Sequence, residues 1–215
     1  MKENEILASV IISAYKEKKR IGEVLNVTEK LPLDYEIIVI DDGSKDGTAG
    51  EARNFLRPIV ISHPKNQGKA KAMKTGLSAA SGKYVLFLDA DLRGLRVEDI
   101  LSITKRTMQK DADIVVAKLL SRENRGVRLS QIWFPFISGI QMARSETWWK
   151  IVAEKDFEKS RFKAEREIKR IAKELGLRTV FVDWPEVTQY TKEEKLGIFR
   201  AIPARLKMYF QMIRP

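Results

Sequence analysis

Apolar runs and helix-spaced apolar residues alternate along the first half of this chain. Residues 6–13 form an apolar run that predicts a buried strand. Residues 17–31 follow, with Ile21, Val24, Leu25 and Val27 close to helical spacing. Residues 35–40 are rich in β-branched side chains and predict a second strand, which runs into Asp41-Asp42-Gly43-Ser44. A short strand is predicted at 58–62. A helix is predicted at 68–80, with Ala70, Met73, Leu77 and Ala80 on one face. Residues 83–88 read as a strand ending at Asp89, 97–108 as a helix and 113–117 as a strand. This β-α alternation predicts an α/β fold, a mostly parallel sheet covered by helices. In such sheets ligands bind beyond the carboxyl ends of the strands, where Asp41, Asp42, Asp89 and Asp91 all fall.

Beyond about residue 118 the pattern changes. Residues 121–130 are polar and basic and read as a loop, and 133–139 are aromatic with Pro135. A charged amphipathic helix is predicted at 160–175, a strand at 177–183, and a helix at 192–215 interrupted near Pro203. There is no internal repeat and no low-complexity linker. A single domain over 1–215 is therefore expected, with a first half at about 6–118 and a second at about 119–215.

The chain has 215 residues, 44% of them hydrophobic, which suffices for one sizeable core. The apolar run near the N-terminus is too short to span a bilayer, and Glu3 and Glu5 stand where a signal peptide would be basic, so a cytoplasmic location is expected. With no cysteine, disulfides, thiolate metal sites and cysteine nucleophiles are excluded. Forty basic residues against 29 acidic ones give a net charge of +11, which favours anionic partners: nucleotides, sugar phosphates or lipid headgroups. Nucleic acid is not expected, because charge stands there without a recognised binding motif.

Three segments carry candidate chemistry. In Asp89-Ala90-Asp91, two carboxylates flank a small residue just past a buried strand. They can offer oxygens to Mg²⁺ or Mn²⁺, hard cations that commonly bridge to substrate phosphates, although an isolated Asp-x-Asp also fits a turn. The carboxylates of Asp41-Asp42-Gly43-Ser44-Lys45-Asp46-Gly47-Thr48 can accept from a base or a ribose, or cap the next helix through Ser44 or Asp46. In Asn66-Gln67-Gly68-Lys69, Gly68 permits an unusual backbone angle before a helix N-terminus, and Lys69 adds a positive charge suited to a diphosphate. The spacings of a P-loop and of a standard dinucleotide site do not occur.

The order of these segments, following Val10-Ile11-Ile12-Ser13-Ala14-Tyr15-Lys16-Glu17 and ending in Tyr84-Val85-Leu86-Phe87-Leu88-Asp89-Ala90-Asp91, resembles the family 2 glycosyltransferases of the GT-A fold. The resemblance covers about residues 6–100. It implies that Ser13, Tyr15, Glu17, Ile40 and Asp42 surround a nucleoside and that Lys69 touches the phosphates. It also implies that Asp89, Ala90 and Asp91 hold the nucleotide and a metal. Farther on, Arg125-Gly126-Val127-Arg128, Ser138-Gly139-Ile140-Gln141, Phe162-Lys163-Ala164-Glu165 and Val187-Thr188-Gln189 are similar to glucosyl-3-phosphoglycerate-synthase-like enzymes and polyprenyl-phosphate sugar synthases. That similarity implies an anionic acceptor near Arg125 and Arg128, Glu165 on the acceptor side, and Gln189 beside the metal.

Several positions depart from these families. Ser13 replaces the usual Pro, Lys16 the usual Asn, and Arg93 stands where a Gln is frequent. Arg93 cannot ligate a cation, but suits an ion pair with Asp91 or a phosphate. Gln189 replaces a frequent histidine ligand and offers a neutral oxygen. The expected function is transfer of a hexose from a UDP- or GDP-linked sugar to a phosphoglycerate-type or polyprenyl-phosphate acceptor, with Asp91 and Glu165 catalytic. The alternative is a nucleotide-binding or regulatory module that has lost catalysis. Glu165, the candidate base, also fits an exposed glutamate paired with Arg161 or Lys169. His63, the single histidine, reads as structural. The segment 196–215 has no acidic residue and mixes apolar with basic positions, which fits a terminal helix on the core or a peripheral membrane contact. Trp133, Phe134, Phe136, Trp148 and Trp149 read first as core aromatics, with a stacked sugar or a lipid contact as the alternative, and both the stereochemical outcome and a homo-oligomer are left open.

Overall fold

The computed structural model describes residues 6–121, 123, 125–133, 138–160, 163–190 and 194. Apart from Glu194, the helix expected at 192–215 lies outside the described residues, as do the aromatic positions Phe134 and Phe136.

Four neighbouring strands, from one edge of the sheet inward, are parallel: β1 (Ala8–Ala14), β2 (Tyr35–Asp41), β3 (Ile59–Ser62) and β4 (Tyr84–Asp89). A short strand β5 (Leu92–Arg93) follows, then β6 (Ile114–Leu119), β7 (Gln141–Arg144), β8 (Thr179–Trp184) and β9 (Thr188–Gln189). The main sheet has the order β3-β2-β1-β4-β7-β6-β8, while β5 and β9 pair apart from it. Strand β7 runs antiparallel to both of its neighbours, and β8 is parallel to β6. The mostly parallel sheet expected from the alternation is therefore present, with one reversed strand inside it.

Strand β1 is buried along nearly its whole length because helices cover both faces of the sheet. Successive side chains point to opposite faces. Val10 and Ile12 pack into one apolar cluster with α1 (Ile21–Thr28) and α4 (Val97–Met108). Ile11 joins the other, with α3 (Lys69–Ala79), α6 (Ser145–Val152) and α7 (Ala164–Glu174). Trp148 is fully buried there, edge-on to Phe87 at 4.8 Å, and its indole N–H donates to the Val85 carbonyl at 2.9 Å. Trp149, its neighbour, is 42% exposed and is not a core residue.

Some boundaries move. The helix expected from residue 17 starts at Ile21, because residues 17–20 form a turn, with Lys16 in the left-handed region at φ 60°. A short helix α2 (Thr48–Ala52) follows the second acidic segment, with Gly47 at its N-cap. Asp46 nevertheless accepts from the Thr48 backbone N–H at 3.1 Å, the cap-like role anticipated for it.

The region expected to be a loop at 121–130 instead contains helix α5 (Arg125–Trp133). Val127 and Gln131, one turn apart, face inward, whereas Leu129 and Ile132 are exposed. The inward stripe holds a polar residue, so the apolar periodicity that marks a helix is absent from the sequence. Strand β7 and helix α6 also went unanticipated: Gln141-Met142-Ala143-Arg144 lacks the β-branched residues that announce a strand.

Candidate functional site

A cleft of about 310 Å³ opens beyond the carboxyl ends of β1, β2 and β4. Ser13, Ala14, Tyr15 and Glu17 line it from the end of β1 and the turn after it. Asp42 and Asn66 line it from β2 and the loop before α3, Lys69 and Ala72 from α3, and Asp89, Ala90 and Asp91 from β4. Gln189 of β9 closes the set. Parallel pairing accounts for the convergence, because Ser13 stands beside both Ile40 and Asp89 in the ladder. Ile40 does not line the cleft. Its side chain is fully buried against α3, on the face where Ile38 also lies.

Asp42 is almost completely buried, and protein donors surround it. One oxygen accepts from the Gln67 N–H at 2.9 Å and from His63 Nδ1 at 2.8 Å, and the other from the Gly68 N–H at 2.7 Å. His63 Nε2 faces Thr75 Oγ1 at 3.0 Å, so this histidine is structural, bracing the second acidic segment against α3. Gly68 has φ 96°, which turns its N–H toward Asp42 and starts α3 at Lys69.

Lys69 is the hub of the site. Its Nζ lies 2.5 Å from Asp89 Oδ1 and 2.6 Å from Glu165 Oε1. Burial opposes the charge on this amine, but Asp89 and then Glu165 outweigh it and hold the ammonium above the ordinary lysine range. Asp89 Oδ2 accepts from Gln189 Nε2 at 2.6 Å. The carboxylate of β4 is thus gripped on one side by a lysine and on the other by an amide. Glu165 turns inward from the start of α7 to reach Lys69 rather than lying solvated along the helix.

Gln189 reaches Asp89 because β5 and β9 pair, with Leu92 beside Gln189, and because the Tyr190 N–H donates to the Asp91 carbonyl at 3.2 Å. Two guanidiniums lie over the Tyr190 ring, Arg93 at 4.7 Å and Arg20 at 5.5 Å, and its hydroxyl donates to Glu23 Oε1 at 2.5 Å. Arg93, expected near Asp91 or a phosphate, lies on this ring and pairs with Glu194 at 3.1 Å. Nothing in the sequence marked Tyr190 except its place after Gln189.

Of the acceptor candidates, Arg128 stands on α5, which packs against β6 and β9, and it does not line the cleft. Arg125 opens the same helix. Gly139 lies against the ends of Lys69 and Asp89. A Cβ built there would stand 2.3 Å from Lys69 Nζ and 2.5 Å from Asp89 Oδ2.

Among the described residues no helix is long and apolar enough to cross a membrane. Comparison with other proteins agrees with this geometry. An uncharacterized protein of Methanocaldococcus jannaschii is 37% identical over 114 residues, 49% of this chain and 48% of that protein. A dolichyl-phosphate beta-glucosyltransferase of Trichomonas vaginalis is 32% identical over 130 residues, 52% of this chain and 38% of that one. This chain therefore matches about half or less of the length of these relatives. Among solved structures, glucosyl-3-phosphoglycerate synthase from Mycobacterium tuberculosis, in complex with Mn²⁺, UDP and glucosyl-3-phosphoglycerate, superposes with a TM-score of 0.67 at 21% identity. It covers 86% of this chain and 72% of that one, a likeness of fold that supports the GT-A arrangement in one domain. The model of the family described as "Glycosyl transferase family 2" matches residues 9–172, from β1 through most of α7 and so across every cleft residue but Gln189, and the chain belongs to that family.

Proposed function

We propose that this chain transfers a hexose from a UDP- or GDP-linked sugar to an anionic acceptor of the phosphoglycerate or polyprenyl-phosphate type. The observation that carries this reading is the convergence of Ser13, Tyr15, Asp42, Lys69, Asp89 and Asp91 on one cleft at the strand ends of a family 2 chain. In this reading Ser13, Tyr15 and Glu17 form the nucleoside wall. Asp42 acts mainly by holding the loop 66–68 in place, and Lys69 meets the diphosphate. Residues 6–118 bind the donor, and 119–215 supply the acceptor side through Arg125, Arg128 and Glu165. The dolichyl-phosphate and phosphoglycerate chemistry in the names of the relatives supports both acceptor types.

The donor set suits Mg²⁺ or Mn²⁺. Asp89 and Asp91 offer hard oxygens, and Gln189 is positioned beside them. Among the described residues no three acidic or histidine side chains form a closed cage. An incomplete protein shell fits a cation that takes its remaining ligands from a diphosphate and water. Such an ion, when bound, would neutralise the charge that builds on the departing nucleotide. The other steps belong to the chain itself. Lys69 leaves its carboxylate partners for the diphosphate, which frees Glu165. In an inverting transfer to a hydroxyl, the acceptor oxygen bonds to the anomeric carbon as the bond to the diphosphate breaks, and Glu165 Oε1 takes the hydroxyl proton. A phosphate acceptor is already an anion and needs no base.

Calorimetric titration with UDP- and GDP-hexoses, with and without Mn²⁺, tests this reading. Metal-dependent binding of one of them is expected, and failure of all of them under both conditions overturns it. The mutual pairing of Lys69, Asp89, Glu165 and Gln189 also supports a second reading, a nucleotide-binding module without transfer. Donor binding with neither hydrolysis nor transfer across a broad acceptor panel selects that one.

A further inference from the structure

The loop leading into β7 is held from inside the protein. Ser138, Gly139, Ile140 and Gln141 are all buried. The Gln141 side-chain amide donates to the Ser138 carbonyl at 2.9 Å, the Ser138 hydroxyl accepts from the Ile140 N–H at 3.3 Å, and the Ile140 carbonyl accepts from the Ala117 N–H at 3.0 Å. This places the Gly139 Cα against the ion pair of the cleft. A Cβ there would meet Lys69 Nζ at 2.3 Å and the two Asp89 carboxylate oxygens at 2.5 and 2.6 Å.

Two features separate this glycine from one that only serves a turn. Gly139 is not among the glycines with positive φ, so its backbone suits any residue. The atoms a methyl would strike are the ends of two functional side chains rather than backbone or core. The Lys69 terminus can swing aside, and the shorter Asp89 carboxylate must rotate with it, so the constraint at this position falls on the ion pair of the site.

We propose that Gly139 is a positioning residue. Its bare Cα is the back wall that lets Lys69 sit on Asp89 and Glu165, and so aims the ammonium at the donor diphosphate. This rests on the transfer reading above only for the identity of the ligand. The wall and the ion pair exist without one.

The test uses Gly139→Ala, Lys69→Ala and the double variant of the full chain. In Gly139→Ala the thermal midpoint is expected to stay within a few degrees of the parent, while affinity for the UDP- or GDP-hexose falls at least about tenfold. Because Gly139 bounds Asp89 as well as Lys69, adding Gly139→Ala to Lys69→Ala should weaken binding by less than the sum of the two single losses. A donor affinity unchanged by Gly139→Ala, or losses that add in the double variant, would overturn the proposal. A second readout needs no ligand. ¹⁵N spectra of the lysine ammonium groups should show an exchange-protected Lys69 signal in the parent, absent from Lys69→Ala and lost or shifted in Gly139→Ala. If that signal is the same in the parent and in Gly139→Ala, the wall does not hold the lysine and the proposal fails. If the signal changes but the parent binds no nucleotide sugar, the positioning role stands and the transfer reading falls.

Discussion

Two acidic strand ends face the same cleft, and the protein treats them differently. At the end of β2, Asp42 is satisfied by two backbone N–H groups and a buried histidine. At the end of β4, Asp89 is satisfied by the tips of a lysine and a glutamine. Backbone donors cannot leave without unfolding the loop that bears them, so the first carboxylate is scaffold. Side-chain donors can rotate away when a phosphate or a cation arrives, so the second is exchangeable. A carboxylate's role is therefore legible in what satisfies it, more than in its place at a strand end.

The largest effect should come from removing the scaffold carboxylate. Asp42→Ala leaves two buried N–H groups and His63 without their acceptor, and about 3 kcal/mol of stability is expected to go with it, measured by urea unfolding. If stability is unchanged while nucleotide affinity falls, Asp42 is a ligand contact and the contrast collapses. Asp91→Ala sharpens the other side. It should fold and melt much as the parent does, yet lose at least about tenfold, or ~1.4 kcal/mol, in Mn²⁺-dependent affinity for the nucleotide sugar. Equal affinity with and without the substitution would remove Asp91 from the site.

Tyr190→Phe tests whether the strap behind Gln189 matters. The hydrogen bond to Glu23, then burial, hold the Tyr190 phenol above the usual tyrosine range. A raised value in the folded state means that the bond contributes below the ordinary tyrosine value of about 10 and is lost as pH climbs through the raised one. The difference between parent and Tyr190→Phe absorbance titrations should therefore appear above that value. A few-fold loss of donor affinity is expected in the variant, on the order of 0.5–1 kcal/mol for one hydrogen bond. The smallest change concerns the rim. Lys16 holds a left-handed backbone at φ 60°, which asparagine tolerates better, and Lys16→Asn should raise stability by about 0.5 kcal/mol in the same urea assay.

The first half of the fold was legible because its strands are runs such as Val10-Ile11-Ile12 and Ile37-Ile38-Val39-Ile40, buried on both faces. Its site was legible too, since Ser13, Asp42, Lys69 and Asp89 sit within a few residues of strand ends or a helix start. The second half was not. Helix α5 turns Gln131 inward, β7 has no β-branched residue, and the inward turn of Glu165 depends on α7 packing against α6, which in turn packs against α3. Contacts such as Lys69 with Glu165, or Tyr190 with Glu23, join residues about 100 or more positions apart, and no local pattern encodes them.

Strand β7 has a wider consequence. Because it runs opposite to β4 and β6, the segment that enters it, rather than the one that leaves it, arrives at the edge where the parallel strands end. A wholly parallel sheet would deliver residues 138–140 to the far side of the molecule. One reversal thus lets the long excursion after β6 be rewritten at its middle while its final residues stay anchored behind the cleft.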